Sequence, residues 1–274
     1  MNRYKRLLVT GGASGLGREL AIKWASHGAN IGIADINQER GEQVVEEIKQ
    51  LGVNAFYQTC DITNQEHVSA LKDRVEQLWQ GVDLVINNAG IASADSLDDE
   101  SIEQWRQVLE INLLGAVKMT KVFTPLFRQQ GHGHFLNIAS QAGITPIPKM
   151  ASYNASKAAL VSFSETMRLE LVDDNIQVSV MCPGFFQTNL KESLKTNSTR
   201  LAEVLDKMMA RSQMTAAHVA SRAFKGVNNN EFLILTHKEG KRVFRLKRWF
   251  PKYYLKMMTK QTARLRSKNT AKDK

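Results

Sequence analysis

A glycine-rich turn near the start of the chain constrains its fold more than any other feature. The apolar residues 7–9 are followed directly by Thr-Gly-Gly-Ala-Ser-Gly-Leu-Gly at positions 10–17, where a helical pattern begins. Glycine lets the backbone turn sharply and approach a phosphate with no Cβ in the way, and a helix N terminus offers free N–H groups. The turn predicts a strand–turn–helix unit that holds a pyrophosphate; a purely structural tight turn is the alternative.

The alternation of strand and helix continues to about residue 236. Extended apolar runs alternate with amphipathic helical patterns, such as the one that places Val44, Ile48 and Leu51 on one face before Gly52 ends it. Such alternation implies right-handed crossovers and a mostly parallel sheet covered on both faces. We therefore predict an α/β fold with a Rossmann-type doubly wound parallel sheet. The predicted strands are residues 7–9, 31–34, 55–57, 82–86, 135–138, 178–181 and 232–235.

Local signals predict where individual helices begin. Thr63 followed by Glu66 has the spacing of a capping box, and Ser101 followed by Gln104 has the same spacing before a long helix. His134 stands in a stretch of alternating histidine and glycine before a strand, which indicates a turn residue. No stretch reaches the roughly 20 apolar residues that a membrane-spanning helix needs, and no export signal is evident.

The positive charge is concentrated at the C-terminal end. Of the net charge of +10, residues 238–274 contribute fourteen Lys and Arg against two acidic residues, so the rest of the chain sums to −2. We therefore divide the chain into a catalytic domain, residues 1–236, and a basic amphipathic tail, residues 237–274. Basic residues interleaved with aromatic ones are compatible with an anionic membrane surface, a partner subunit or a solvated extension. No nucleic-acid-binding module is recognisable, and no specific nucleic acid is expected.

The two cysteines indicate a reducing compartment. Cys60 and Cys182 lie far apart in the sequence, and each follows residues that favour a strand. We expect two reduced, buried thiols and a cytoplasmic location, with a disulfide or a reactive thiol as the alternative. The histidines lack other metal-ligating residues at suitable spacing, so we infer no metal site.

An acidic residue at the end of the second strand indicates which dinucleotide is bound. Asp35 lies 18 residues after Gly17, near the spacing at which a carboxylate reaches an adenosine ribose. That carboxylate accepts hydrogen bonds from the ribose hydroxyls and repels a 2′-phosphate. Ile36 adds no positive charge. The pattern favours NAD over NADP.

Tyr153 and Lys157 form a Tyr-x-x-x-Lys pair within a helical pattern. Four residues apart on a helix, the two side chains share one face. Tyrosine has an ordinary pKa of about 10, and a neighbouring ammonium favours the phenolate, which suits proton transfer nearer neutral pH. Taken alone, the spacing is common on helices and is equally compatible with surface packing.

The motifs around this pair, taken together, resemble those of the short-chain dehydrogenase/reductase family. Residues 10–17 fit the family's cofactor turn, residues 87–90 match its Asn-Asn-Ala-Gly motif, Ser140 lies 13 residues before Tyr153, and residues 183–184 form its Pro-Gly pair. The resemblance covers roughly residues 4–236. Departures are slight: an alanine precedes Ser140 where a second serine is frequent, and two phenylalanines follow the Pro-Gly pair.

The resemblance implies a role for each site residue. Tyr153 exchanges a proton with the substrate oxygen, and Ser140 hydrogen-bonds that oxygen. Lys157 lowers the tyrosine pKa and holds the nicotinamide ribose, Asn112 connects Lys157 to solvent through its backbone and a water, and Thr188 contacts the carboxamide. From the residues alone, Ser140 as a strand-end cap, Asn112 as a core polar group and Thr188 as a helix cap stay open. The implied cofactor-binding residues are Gly11, Ser14, Gly15, Leu16, Gly17, Asp35, Asp61, Ile62, Asn88, Ala89, Gly90, Tyr153, Lys157, Pro183, Gly184 and Thr188.

These features predict an oxidoreductase that transfers a hydride between NAD(H) and an alcohol or carbonyl substrate. Residues 185–214, which we name the lid segment, contain many apolar side chains, some at helical spacing, and indicate a lipophilic substrate or a lid packed on its own body. The family also contains 3-oxoacyl-thioester reductases, which is the second enzyme hypothesis. A non-catalytic NAD(H)-binding redox sensor is the rival from another class. The resemblance further implies a homodimer or homotetramer.

Overall fold

The computed structural model describes residues 2–187 and 194–266. The strands of the main sheet are β1 (Arg6–Thr10), β2 (Asn30–Asp35), β3 (Ala55–Thr59), β4 (Leu84–Asn87), β6 (Gly133–Ile138), β7 (Ile176–Cys182) and β9 (Leu233–Leu235), and a second pair comprises β5 (Ala92–Ser93) and β8 (Leu194–Lys195). The helices are α1 (Gly15–Ala25), α2 (Gln38–Lys49), α3 (Gln65–Trp79), α4 (Ile102–Leu109), α5 (Gly115–Gln130), α6 (Gln141–Ile144), α7 (Ala151–Glu170), α8 (Thr199–Ala210), α9 (Ala216–Asn228), α10 (Lys238–Trp249), α11 (Pro251–Gln261) and α12 (Ala263–Arg266). A π-helical turn, Glu110–Leu114, joins α4 to α5.

The main sheet is parallel throughout its described strands. Its order is β3-β2-β1-β4-β6-β7-β9. The chain therefore winds outward from β1 in one direction and then returns to build the other half from β4. This confirms the doubly wound parallel sheet, and it brings the ends of β1 and β4 together at the point where the strand order reverses, the usual ligand position in such folds.

Two helical layers cover the sheet because successive strand residues point to opposite faces. In β1, Leu7 and Val9 pack in a buried cluster with side chains of α1, α2 and α9, including Trp24, which is fully buried. Leu8 points the other way into a cluster with side chains of α3, α5 and α7, including Phe123. Central strands apolar on both faces are what a sheet covered on both sides requires.

Three local predictions can be compared with these elements. The capping box at Ser101 is present, with its side chain and that of Gln104 bonding each other's backbone. The one predicted at Thr63 is wrong, because Asn64 caps α3 and Thr63 instead donates to the Asp61 carboxylate. His134 is not a turn residue: it lies fully buried inside β6.

Residues 238–266 fold back onto the rest of the chain as three short helices. Phe244 of α10 packs against a buried cluster that includes Leu160 and Val180, and Tyr254 of α11 is buried. The Lys247 ammonium donates to the Ile144 carbonyl at 2.7 Å. Within residues 2–187 and 194–266, no helix is long and apolar enough to cross a membrane.

Candidate active site

The loops that follow the parallel strands surround a cavity of about 660 Å³. Because the carboxyl ends of parallel strands meet at one edge, residues from distant parts of the sequence line this cavity together. Those predicted from sequence that line it are Gly11, Ser14, Gly15, Leu16, Gly17, Asp35, Asp61, Ile62, Asn88, Ala89, Gly90, Ser140, Tyr153, Lys157, Pro183 and Gly184. Asn112 lies behind the wall, and Thr188 lies outside the described residues.

The glycine turn is held in a fixed shape by the segment after β4. The Asn88 side chain donates to the Thr10 and Gly11 carbonyls at 2.9 and 3.0 Å. In return, the Thr10 hydroxyl accepts the backbone N–H groups of Asn88 and Ala89 at 3.0 and 3.1 Å. These reciprocal bonds join the predicted phosphate turn to the predicted Asn-Asn-Ala-Gly motif.

Glycine is required at two positions of this turn. Gly11 has a φ of +63°, and a Cβ there would stand 2.9 Å from the Ala89 Cα. At Gly17 an added Cβ would lie 2.0 Å from the Gly11 carbonyl oxygen. The N terminus of α1, which opens at this turn, has no side-chain cap at Ser14 and no acidic residue in its first turn. Its N–H groups and positive helix dipole are therefore available to an anion such as a pyrophosphate.

Asp35 stands beside the turn, partly exposed at the cavity edge. One carboxylate oxygen accepts the backbone N–H of Ala13 at 3.0 Å, and the other accepts that of Asn37 at 3.0 Å. These bonds aim the carboxylate and leave further lone pairs, since each oxygen can accept two hydrogen bonds. The geometry is compatible with a hydroxyl-rich ribose and unfavourable to an added phosphate.

Ser140 and Tyr153 line the same cavity, the first just after β6 and the second in the first turn of α7. Ser140 follows β6, and its hydroxyl accepts the backbone N–H of Ala142 at 3.1 Å. Burial raises the pKa of the Tyr153 phenol above its usual value, and a hydrogen bond with the Ser140 side chain offsets part of this rise. The net direction is therefore upward, opposite to the lowering that the resemblance implies, because desolvation is the larger effect. At neutral pH Tyr153 keeps its proton.

Lys157 is almost completely buried, one helical turn from Tyr153. Its ammonium donates to the Ile138 carbonyl at 3.0 Å and lies 5.8 Å from the centre of the Tyr153 ring. Burial lowers the pKa of Lys157 to about 8. A Cβ at position 90 would stand 3.3 Å from this nitrogen, so Gly90 leaves room for it. The Lys157 amino group faces the cavity, and its pKa lies close to physiological pH.

Asn112 occupies the π-helical turn between α4 and α5. Its amide nitrogen donates to the Ile91 carbonyl at 2.9 Å and to the Ser156 hydroxyl at 3.1 Å, while its oxygen accepts the Ile91 N–H at 2.8 Å. The side chain thus fixes the loop after β4 to the helix that carries Tyr153. In a π-helical turn the hydrogen-bond register shifts by one residue, and such turns are frequent at functional sites.

Sequence reasoning missed the contribution of the C-terminal helices to the cavity. Glu239, Gly240 and Val243 of α10 and Met258 of α11 line it, together with Met209 of the lid segment. The Gln141 side chain donates to the Gly240 carbonyl at 3.4 Å. The apolar spacing within the tail was the available signal, but it does not reveal which surface the tail covers.

The cysteines take no part in this site as nucleophiles. Cys60 and Cys182 are both unpaired and buried, and burial raises the pKa of each thiol to about 12. A thiol with so high a pKa is unreactive near neutral pH. Among the residues that the structure describes, no group of three or more His, Cys, Asp or Glu side chains is placed to hold a metal ion.

Comparison with known proteins agrees with this geometry. The short chain dehydrogenase family model matches residues 5–199. An uncharacterized oxidoreductase of Thermotoga maritima is 32% identical over 77% of this chain and 83% of its own length. A short chain dehydrogenase/reductase from Burkholderia phymatum, solved in complex with NAD, superposes with a TM-score of 0.84 at 27% identity over 98% of both chains. A 7α-hydroxysteroid dehydrogenase complexed with NADH and 7-oxo glycochenodeoxycholic acid superposes with a TM-score of 0.75 at 29% identity, over 84% of this chain and 92% of that one. This chain belongs to the short-chain dehydrogenase/reductase family of oxidoreductases.

Proposed function

We propose that this protein interconverts a lipophilic alcohol and the corresponding carbonyl compound with NAD(H) as cofactor. The observation that carries the proposal is one cavity that joins the glycine turn to the trio of Ser140, Tyr153 and Lys157. A phosphate-binding turn alone occurs in proteins of many functions, and a Tyr-Lys pair on a helix alone indicates no particular function. Their position along a single cleft is what hydride transfer from a bound dinucleotide needs.

The residues present fit a dinucleotide. Gly11 and Gly17 leave the space beside the α1 N terminus free of side chains, which suits the pyrophosphate. Asp35 is placed to receive ribose hydroxyls and to disfavour the 2′-phosphate of NADP. Lys157, with its donors near Gly90, is suited to the nicotinamide ribose. When bound, the cofactor supplies the hydride acceptor or donor.

The protein's own residues handle the proton. In reduction, the Tyr153 hydroxyl gives its proton to the substrate oxygen as the carbonyl carbon is reduced to an alcohol; in oxidation the same oxygen takes the proton back. Ser140 donates a hydrogen bond to the substrate oxygen and stabilises the charge that develops on it. The Lys157 cation, 5.8 Å from the Tyr153 ring, stabilises the phenolate once the proton has left.

The walls beyond this trio indicate a lipophilic substrate. Phe185, Phe186, Met209, Val243 and Met258 line the cavity, and Met209 also packs in a cluster with Met150 and Leu205. Aromatic and methionine side chains form adaptable apolar surfaces that suit extended hydrocarbon groups. The related 7α-hydroxysteroid dehydrogenase, solved with a bile-acid derivative, supports this substrate class.

The test is NADH formation from NAD with secondary alcohols and hydroxyacyl thioesters of increasing chain length. We expect turnover that rises with chain length, prefers NAD over NADP and falls by about 10³-fold in Tyr153→Phe, within the range that general acid–base groups contribute. Tyr253→Phe, on the exposed surface of α11, is the matched control and should keep full activity. A preference for the thioesters would select the 3-oxoacyl-thioester reductase. Tight NADH binding with no turnover on any substrate would favour the redox sensor.

We also propose how the protein is placed in the cell. Two buried, unpaired thiols are compatible with the expected cytoplasmic location. Exposed apolar side chains on α4 and α7, among them Ile102 and Leu169, support a homodimer or homotetramer, which sedimentation of the purified protein would test. Contact of the C-terminal helices with a membrane is a further proposal, and the surface that supports it is described below.

A further inference from the structure

The α10 and α11 helices meet in an exposed corner rich in aromatic residues. Trp249, Phe250, Tyr253 and Leu255 are 72%, 64%, 63% and 62% exposed, and we name these four residues the aromatic corner. Elsewhere in the described ranges, every Trp, Phe and Tyr is buried or half-buried. A protein that covers all its other large aromatic side chains and leaves these together presents an interaction surface.

The corner is held rigidly by the opposite sides of the same helices. Tyr254 and Met258 of α11 and Thr262 directly after it follow one another at four-residue spacing; Tyr254 and Thr262 are buried, and Met258 lines the cavity. On α10, Phe244 packs in the core and Lys247 donates to the Ile144 carbonyl at 2.7 Å. The two helices that carry the outward side chains are therefore anchored to the rest of the protein by their inner faces.

Positive charge surrounds the aromatic corner. Residues 238–261 contain nine Lys and Arg and one acidic residue, whereas residues 1–237 sum to −2. Arg245, Arg248, Lys252, Lys256 and Lys260 are exposed. Tryptophan and tyrosine favour the boundary between headgroups and acyl chains, and lysine and arginine beside them bind anionic headgroups.

We propose that the aromatic corner docks this protein on an anionic lipid surface. Trp249, Phe250 and Tyr253 enter the headgroup layer, while the surrounding cations bind lipid phosphates and carboxylates. Because the helices that carry the corner also line the cavity through Val243 and Met258, docking places the substrate site close to the lipid. The proposal does not depend on which alcohol is oxidised, and lipid binding is measured without any turnover.

Vesicle flotation of the full chain tests the proposal. The probes are vesicles of phosphatidylcholine alone and of phosphatidylcholine with an equal part of phosphatidylserine. We expect the protein to float with the anionic vesicles, to stay in solution with the neutral ones, and to be released as salt screens the charges. Failure to float with anionic vesicles at low salt overturns the proposal.

Two variants separate the aromatic from the electrostatic contribution. The triple variant Trp249→Ser, Phe250→Ser, Tyr253→Ser keeps every charge, and we expect at least about a tenfold loss of anionic-vesicle binding. One basic residue near such a surface strengthens binding by about fivefold, so Arg248→Glu with Lys252→Glu should weaken it by about 25-fold or more.

The matched control is Leu97→Ser with Val172→Ser, which removes exposed apolar side chains from the loop after β5 and from the turn after α7. It should float like the unchanged protein, and all variants should retain NADH binding as evidence of folding. If the triple variant floats as well as the unchanged protein, the corner is not a lipid-docking surface and the proposal is wrong. The same holds if the triple variant changes the oligomeric state of the protein and leaves its flotation unchanged.

Discussion

His134 gives the protein a pH-dependent stability that can be derived from its hydrogen bonds. The Ser179 hydroxyl donates its single proton to the Glu231 carbonyl at 2.7 Å, so it must accept from the His134 Nε2–H at 2.9 Å. The Nδ1 atom then accepts a hydrogen bond from the Tyr4 hydroxyl, with 2.6 Å between the two heavy atoms. Only the neutral imidazole, with its proton on Nε2, satisfies both neighbours.

Protonation of His134 in the folded protein is therefore costly. Burial lowers the pKa of His134 to about 3, from an ordinary value of about 6.5 in the unfolded chain. A folded-state pKa below the unfolded one means that the stability is fully present above pH 6.5 and is lost as the pH falls toward 3. At about 1.4 kcal/mol per pH unit, the loss is about 2.5 kcal/mol between pH 6.5 and 4.5, and about 5 kcal/mol below pH 3.

The measurement is urea unfolding of the unchanged protein and of His134→Gln between about pH 7.5 and pH 4.5. Glutamine does not titrate, so the difference in unfolding free energy between the two proteins isolates the imidazole. We expect this difference to shrink by about 2.5 kcal/mol as the pH falls. The pKa of Asp83 is lowered, so its stabilising effect is lost only below about pH 4. Asp83 is also present in both proteins, so it does not contribute to the difference between them. A difference that stays constant across this range would refute the reasoning.

Three other substitutions test the site and its walls. Gly17→Ala places a methyl group 2.0 Å from the Gly11 carbonyl, so NADH affinity measured by fluorescence titration should fall by at least about tenfold, with unchanged affinity as the contrary result. Asn112→Leu leaves the half-buried N–H and carbonyl of Ile91 and the buried Ser156 hydroxyl without that partner and should cost about 1–3 kcal/mol in urea unfolding, whereas a loss below about 0.5 kcal/mol would contradict the assigned bonds. Val243→Trp fills the cavity from α10, so kcat/KM should fall by at least about tenfold for the longest substrates and little for the shortest. An equal loss for all chain lengths would place Val243 outside the substrate-binding region.

The cofactor side of the site was predictable because it depends on local sequence. A glycine turn after a strand, and an acidic residue at the end of the next strand, have the same geometry wherever they occur in this fold. The sheet itself follows from the alternation of strands and helices, whereas Ser140, Tyr153 and Lys157 were identified as a set only through the family resemblance.

What escaped prediction depends on tertiary contacts. His134 looks like a loop residue because it follows Gly131-His132-Gly133, yet the partners that let it be buried, Tyr4 and Ser179, are distant in sequence. The upward shift of the Tyr153 pKa results from burial, which spacing alone does not reveal. Likewise, periodicity shows that the C-terminal helices have an apolar face, but not that it covers the cavity.

The residues that line the cavity lie far apart in the sequence and are therefore synthesised at different times. The glycine turn, Asp35 and the Asn-Asn-Ala-Gly segment all lie between positions 10 and 90, whereas Met258 lies 168 residues after the last of them. A growing chain therefore has its dinucleotide-binding residues long before the last wall of its substrate site exists. Removal of α10 and α11 would take away Val243 and Met258 and expose the cavity beside Ser140, Tyr153 and Lys157 to water. The wall that we propose to select the substrate is thus completed well after the dinucleotide-binding turn during synthesis.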